Sequence, residues 1–383
     1  MLEKIADAQK AGRHVDGHGA GLNPEQLAVY RAVGIDTDHE AHSTEMALER
    51  LNAGMRVFIR EGTVERDELA ILPAVTSSNA ERFAFCTDDK NVTDLLLEGS
   101  IDYNVNLAVS KGLAMETALK MASYGAAQAH HLQNVGALAA GYVADLVVFD
   151  SLQHFSAQEV MVAGQWVTEK QTTKPLAFAP QAINIKPQLS DFELPLINGV
   201  AHVIGIEPNH ITTTHLIEEV PQNTTGKFVA NQTYAKIAVF ERYHQLGYGL
   251  GIIKGFKLRG GAIAATVAHD SHNLIVAGHN DSAMYTAANH LRELGGGMVV
   301  VEDDGTITSL PLPIAGLMSD QPYSLVAEQV TTLMAAFKRI STVEFDPFLT
   351  LSFMALPVIP SLKITDQGLF DFEKFTFINI NAQ

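Results

Sequence analysis

Cysteine is nearly absent. Cys86 is the single thiol in 383 residues, which excludes an intrachain disulfide framework and fits a reducing, cytoplasmic setting. Positive charge is also scarce: 26 Lys and Arg against 43 Asp and Glu leave a formal net charge of -17. That balance argues against nucleic-acid backbones and anionic membrane surfaces as partners, since both would be repelled. No apolar run reaches the length of a membrane span, and no secretory h-region opens the chain. No internal repeat or low-complexity tract occurs, and the chain holds no His-x-His pair. Met1-Leu2-Glu3-Lys4 leads straight into a helical pattern, so the start reads as an internal cut or a late start codon.

What is there fits a globular chain. Hydrophobic residues make up 47% and charged residues 18%, over a length sufficient for two or three domains. Residues 1–132 alternate short β-like runs with helical patterns, which predicts a parallel sheet built of βα units. Arg13-His14-Val15 is the first run, Gly34-Ile35 leads into the second, Arg56–Ile59 is the third and Arg82–Cys86 the fourth. Asn23-Pro24-Glu25 opens a helix with a capping Asn and Pro at its first position. Ser43-Thr44 starts another over Glu45–Asn52, which Gly54 ends, and Ala114–Leu132 reads as one long helix. From Gly136 the chain turns Gly-rich and then strongly β through Asp150, with a strand pair around Gly164. Residues 169–197 are polar and carry Pro175, Pro180, Pro187 and Pro195, as a linker does. A mixed α/β region with many Gly turns follows.

The chemistry sits at the ends of the first four runs. Asp16-Gly17-His18, Asp38-His39-Glu40 and Thr87-Asp88-Asp89 each close a β-like run. Imidazole nitrogens and carboxylate oxygens held on successive strand ends are what a hydrolytic metal site on a (β/α) barrel needs. Four βα units do not close a barrel, so the pattern reads as the back part of a metal-dependent hydrolase.

Longer stretches carry a resemblance. Gly141–Asp150 resembles the segment by which amidohydrolase-superfamily chains leave the barrel for a small β-sandwich. Gly260–Ala264, Ala268–Asn273, Leu312–Asp320 and Leu356–Pro360 resemble the C-terminal domain of bacterial-type adenine deaminases. The four tips, with Arg60-Glu61-Gly62 as the third, agree with that family in order and spacing, so the resemblance covers nearly the whole chain.

The resemblance implies an α/β chain: the later half of an amidohydrolase-type (β/α) barrel in 1–133, a β-sandwich portion and linker in 134–180, and a mixed α/β C-terminal domain in 181–383. It implies hydrolysis of adenine to hypoxanthine and ammonia at a divalent centre of Mn, Fe or Zn, binuclear in the complete family site. His18 would be the fifth-strand metal ligand, His39 the sixth, and Asp88 the eighth-strand ligand and proton carrier. Glu40 would join Asp88 in catalysis, while Arg60, Glu61 and Asp89 would contact the purine. His269, Asp270 and His272 are candidates for a C-terminal contribution to the site. The first four βα units, with their His-x-His, are expected upstream.

Plainer roles stand beside these. Cys86 reads as a buried structural thiol, and His14, four residues before His18, as structural. His42 takes no metal role, and His130-His131 end a helix where partial positive charge is favourable. Glu40 fits a charge at a helix N-terminus as well as a substrate contact, and Arg60-Glu61 fits a salt-bridged pair closing the barrel mouth. Ser271 lies too close in sequence to its histidines for triad geometry, while Asp270 and Asn273 suit backbone-satisfying turn roles. Two other functions stay open: a silent scaffold or partner subunit needing a separate N-terminal polypeptide, and an amidohydrolase for another cyclic amidine or amide. A chain with open parallel-sheet edges is expected to form homo-oligomers or to associate with the upstream segment.

Overall fold

Alternation of β-like and helical segments in the first third builds a small parallel sheet. The computed structural model describes residues 1–168 and 183–382. The chain divides into two compact units, Met1–Thr173 and Lys174–Gln383. Pro175, Pro180 and the expected boundary at residue 180 lie outside the described residues.

The first unit starts with α1 (Leu2–Lys10), α2 (Pro24–Ala32), β1 (Thr37–Asp38), α3 (Thr44–Asn52), β2 (Arg56–Arg60) and α4 (Glu68–Ile71). It continues with β3 (Phe83–Cys86), α5 (Val92–Leu97), α6 (Ile101–Ser110), α7 (Met115–Lys120) and α8 (Ala126–Ala129). β1, β2 and β3 pair in parallel and in chain order, and Gly17 bridges Asp38 in the same sense on the outer side of β1. The four runs read from the sequence are therefore neighbours, as short βα connections require. The first is slighter than expected, a single bridge at Gly17 with no strand over Arg13-His14-Val15.

Local signals set these boundaries. Asn23 accepts from Gln26 N–H while the Gln26 side chain accepts from Asn23 N–H, and Ser43 Oγ accepts from Met46 N–H. Val57 and Ile59 are fully buried in the central strand and pack with Ala47, Ile71, Phe83, Val105, Ala118 and Met121 from the flanking elements. The long helix expected over Ala114–Leu132 is interrupted: a π-helical turn, Met121–Gly125, separates α7 from α8, and His130 caps the end. Gly125 lies hard against the β3 backbone, where a Cβ would stand 2.3 Å from the Phe83 carbonyl oxygen. After α8 a three-stranded antiparallel sheet forms from β4 (Leu146–Val148), β5 (Glu159–Val162) and β6 (Gln165–Trp166).

The second unit is built on β7 (Val200–Ile206), β8 (Thr213–Glu219), β9 (Tyr234–Phe240), β10 (Tyr248–Lys254), β11 (Ala262–Ala265) and β12 (Leu274–Gly278). α9 (Asp281–Leu294), β13 (Gly297–Val301), β14 (Ile307–Pro311), α10 (Tyr323–Ile340) and α11 (Pro347–Phe353) follow, then β15 (Leu362–Thr365), β16 (Gly368–Asp371) and β17 (Thr376–Ile378). Eight strands make one sheet in the order β14-β13-β11-β12-β9-β10-β7-β8, antiparallel except for β7 with β10. β15, β16 and β17 form a separate antiparallel sheet. β11 and β12 are buried throughout, as central strands covered on both faces are, whereas the edge strand β8 leaves Ile217 exposed. α9 lays Ala283, Met284, Ala287, Ala288 and Leu291 on this sheet, and Gly295 ends it at φ 77°.

Part of the Pro-rich stretch does not behave as a linker. Ile183, Ile185 and Phe192 are buried in the core under α9, and Leu194 and Leu196 in the adjoining one, because their apolar side chains outweigh the polar residues between them. Among the described residues no helix is long and apolar enough to cross a membrane.

Truncation should separate centre from edge. Ile237→Ala, at a fully buried position of β9, should cost about 2–5 kcal/mol of stability, and Ile217→Ala on β8, 60% exposed, under about 0.5 kcal/mol. Denaturant midpoints of the two variants measure the difference.

Candidate metal centre and active site

A buried ion pair positions the first two tips. Asp38 at the end of β1 and Arg50 on α3 are both fully buried and bonded through Oδ2 and Nε. Asp38 Oδ1 accepts from Gly19 N–H at 2.7 Å, and Arg50 Nη2 donates to the Gly19 carbonyl at 2.9 Å. The turn after His18 is thus held from both sides by groups that β1 and α3 supply. Gly17 permits the close approach, since a Cβ there would lie 2.5 Å from Ile35 Cγ2 and 2.9 Å from the Thr37 carbonyl.

His18 and His39 are brought together in consequence. Their rings meet edge to face with centroids 5.3 Å apart, and each Nε2 faces the same Glu40 oxygen, at 3.1 and 3.3 Å. One donor atom from each of the three residues falls within 4.8 Å of the others. Glu40 is buried, so its carboxylate acts inside the cluster and not as a charge on α3, whose capping residue is Ser43.

Arg60 ties this cluster to the fourth tip. Its Nη1 donates to Glu40 at 2.9 Å and to Asp88 at 3.3 Å, while Nε and Nη2 donate to Asp67 at 3.0 and 2.8 Å and Nη2 reaches Glu65 at 3.4 Å. Burial would lower the guanidinium, but Glu40, Asp67, Glu65 and Asp88 outweigh it and hold Arg60 above its ordinary value. The expected Arg60–Glu61 pair does not form, because successive strand residues point to opposite faces. Glu61 turns instead to Arg66, 3.5 Å away, and accepts from Glu68 N–H at 3.4 Å; burial raises its carboxyl.

Asp88 follows β3 with φ 51°, a left-handed turn conformation that Asp tolerates better than most residues, and its side chain stays about a third exposed. It meets the cluster through Arg60 and not through a histidine. Asp89 lies beyond it, its carbonyl accepting from Thr63 N–H at 3.1 Å. Burial, then Asp88, pushes the Cys86 thiol up, which keeps it protonated and unreactive. His42 is exposed.

The donors fit a divalent cation. Two imidazoles and a carboxylate converge, and four carboxylates against one guanidinium leave surplus negative charge around them.

The second unit carries the remaining candidates. His269 Nδ1 is hydrogen-bonded to Ser352 Oγ, not to Ser271, and its ring stacks on Phe353 at 4.9 Å. His272 sits at φ 50° with its buried Nδ1 unpartnered; burial, then His269 and Arg242, hold it below the ordinary range. Asp270 is exposed, and Asn273 accepts from Arg242 N–H at 3.4 Å and donates to Asp366 at 3.2 Å. No nucleophilic triad forms among Ser271, His269 and Asp270. A cavity of about 820 Å³ elsewhere in this unit, lined by Lys254, Lys257, Arg259 and Glu344, holds none of the predicted residues.

Sequence reasoning misses Asp38, Arg50, Asp67 and Glu68. Asp38 is visible as part of a tip, but a buried partner twelve residues away has no sequence signature. Glu68 is fully buried and close enough to Glu61 for the two carboxyls to repel.

The parallel βα units with imidazole and carboxylate donors at successive strand ends fit a hydrolase of the amidohydrolase type. The amidohydrolase family model matches residues 1–167, and that of the adenine deaminase C-terminal domain residues 210–376. An adenine deaminase of Leuconostoc mesenteroides is 61% identical over 99% of this chain and 69% of its own length. Adenine deaminase 1 of Oenococcus oeni is 59% identical over 100% and 69%, and an adenine deaminase of Lactiplantibacillus plantarum 49% identical over 100% and 68%. A solved N-acetyl-D-glucosamine-6-phosphate deacetylase of Mycobacterium smegmatis aligns with 44% of this chain and 51% of its own, at 23% identity and a TM-score of 0.37. The chain belongs to the adenine deaminase family.

Two outcomes test the electrostatics. Arg50→Met should cost about 3–5 kcal/mol by leaving Asp38 charged and buried, read as a fall in denaturant midpoint. Burial, then Glu61, raises the Glu68 carboxyl to about 9, so the folded chain keeps a proton there that the unfolded chain loses above its ordinary pKa. Stability contributed by that proton is present at low pH and lost as pH rises from about 4.5 toward 9. Glu68→Gln should therefore gain on wild type by about 4 kcal/mol between pH 5 and pH 8 in denaturant titrations.

Proposed function

We propose that this chain carries out the hydrolytic deamination of adenine to hypoxanthine and ammonia, with His18 and His39 holding a divalent ion at the ends of adjacent strands. The observation that carries this reading is their convergence on Glu40, inside a cluster of surplus negative charge and within a chain of this family. Such an ion lowers the pKa of water toward neutrality and so supplies a nucleophile at physiological pH. Mn, Fe and Zn all accept this ligand set, and the residues present provide donors for one ion.

The remaining chemistry falls to side chains. In the reaction the water oxygen bonds to C6 of the ring, the C6–amino bond breaks, and the amino nitrogen leaves as ammonia after gaining a proton. Asp88, partly exposed and steadied by Arg60, takes a proton from water and delivers it toward the ring nitrogen and the leaving group. Glu40 fixes the two imidazoles and joins in that transfer. Arg60 is a positioning residue: its nitrogens are engaged by carboxylates, so it sets the distance between Glu40 and Asp88. In this reading Asp89 contacts the purine edge, whereas Glu61 is paired with Arg66 and takes no part.

A second reading rests on the absence of a His-x-His pair from the sequence. In it the chain works with a separate polypeptide that supplies further ligands, and it associates through its open sheet edge.

Ammonia release from adenine by the purified chain, supplied with Mn²⁺, Fe²⁺ or Zn²⁺, tests the first reading. Release should depend on metal and fall by about 10²- to 10⁴-fold in Asp88→Asn. Equal release by that variant sinks the role given to Asp88. No release from wild type, restored by adding an N-terminal segment of a relative, would establish the second reading.

A further inference from the structure

Two histidines that the sequence marks as structural meet a third residue in the fold. His14 Nδ1 lies 3.5 Å from Asp36 Oδ1, and His131 Nε2 lies 3.6 Å from Asp36 Oδ2. One donor atom from each falls within 4.8 Å of the other two. These residues come from three separate places: the approach to the first tip, the entry to β1, and the end of α8. Asp36 and His39 stand three residues apart on one extended segment, about 10 Å, so this cluster lies toward the opposite strand ends from His18 and His39. α8 returns the chain to that end, as the helix of a βα unit must, and His131 at φ 55° turns back over it.

From this geometry we infer a second metal site, formed by His14, Asp36 and His131, that takes a borderline divalent cation such as Zn²⁺. Three observations support it. Ligand atoms about 2.0–2.1 Å from one tetrahedral ion stand about 3.3 Å apart. Each imidazole here lies 3.5–3.6 Å from one of the two Asp36 oxygens, and all three residues offer donors within 4.8 Å, so a small closure brings them onto one ion. The lone pair is also aimed correctly. The Thr37 hydroxyl gives its hydrogen to Asp16 Oδ1, so Thr37 Oγ1 accepts from His14 Nε2 at 3.0 Å, which leaves His14 Nδ1 as the unprotonated nitrogen facing Asp36. Hydrogen bonds of that kind, made by the ring nitrogen remote from the ion, orient metal-bound imidazoles generally. Last, Asp36 Oδ1 is shielded from solvent and has no hydrogen-bond partner, an arrangement a bound cation would satisfy.

An ion there joins the start of the first βα unit to the end of the last described barrel helix. Its position at the strand entries gives it a stabilising role, because catalytic groups of such folds stand at the opposite face. Three protein ligands leave one tetrahedral position for water.

The test is cobalt binding by the intact chain after chelator treatment, followed by visible absorption and by equilibrium dialysis. The double variant His18→Asn/His39→Asn removes the first centre, and His131→Ala, at an exposed position, removes a ligand of the second without touching the core. The double variant should retain one Co²⁺, and adding His131→Ala should weaken that binding at least about tenfold. In the native background His131→Ala alone should lose one equivalent and the zinc-dependent rise in melting temperature. Unchanged cobalt affinity on adding His131→Ala, in either background, overturns the site and shows only a His–Asp ion pair. Neither readout depends on deamination, so the result stands apart from the assignment of activity.

Discussion

Burial of Asp38 against Arg50 is the constraint on which the candidate centre depends. Two opposite charges with no solvent contact are tolerable only when each remaining polar atom is also engaged, and here both bind the backbone of Gly19. The cost of burying the pair thereby fixes the turn after His18 relative to β1. Besides it, the first run is tied to β1 by the single bridge at Gly17 and by the bonds of Thr37 to His14 and Asp16. The geometry of the candidate centre rests on a charge pair that lies outside it.

A second layer of charge surrounds that frame. Arg60 gathers Glu40, Glu65, Asp67 and Asp88 around one guanidinium, which lets several carboxylates coexist near the histidines without wholly neutralising them. On the other face of β2, Glu61, Arg66 and Glu68 make a different arrangement, one in which burial favours a protonated carboxyl. Strand pleating separates the two networks, so neighbouring residues in the sequence serve unrelated electrostatic tasks.

Much of the first unit was legible from local signals. The Asn23 cap, the Ser43 cap and the strand runs at Arg56 and Arg82 rest on nearest-neighbour physics, and the structure shows each close to where the pattern put it. The long helix after Ala114 runs through Ala129, and only its π-helical turn was not legible; Gly125 in that turn sits against the Phe83 backbone, far back along the chain. The Pro-rich stretch misled for a related reason: Phe192, Leu194 and Leu196 look sparse among polar residues, yet each finds a core elsewhere in the second unit.

By itself the sequence determined the order of βα units, the strand-end tips that carry His18, His39 and Asp88, and the family. These depend on residue type and short spacing, which survive in one dimension. Only the tertiary structure decided which carboxylate meets which cation: Arg60 leaves Glu61 for Glu40, Asp67 and Asp88, and Asp36 draws His14 and His131 together from distant parts of the first unit. Charge pairing is set by distance and burial after packing, and neither quantity exists until the sheet has formed.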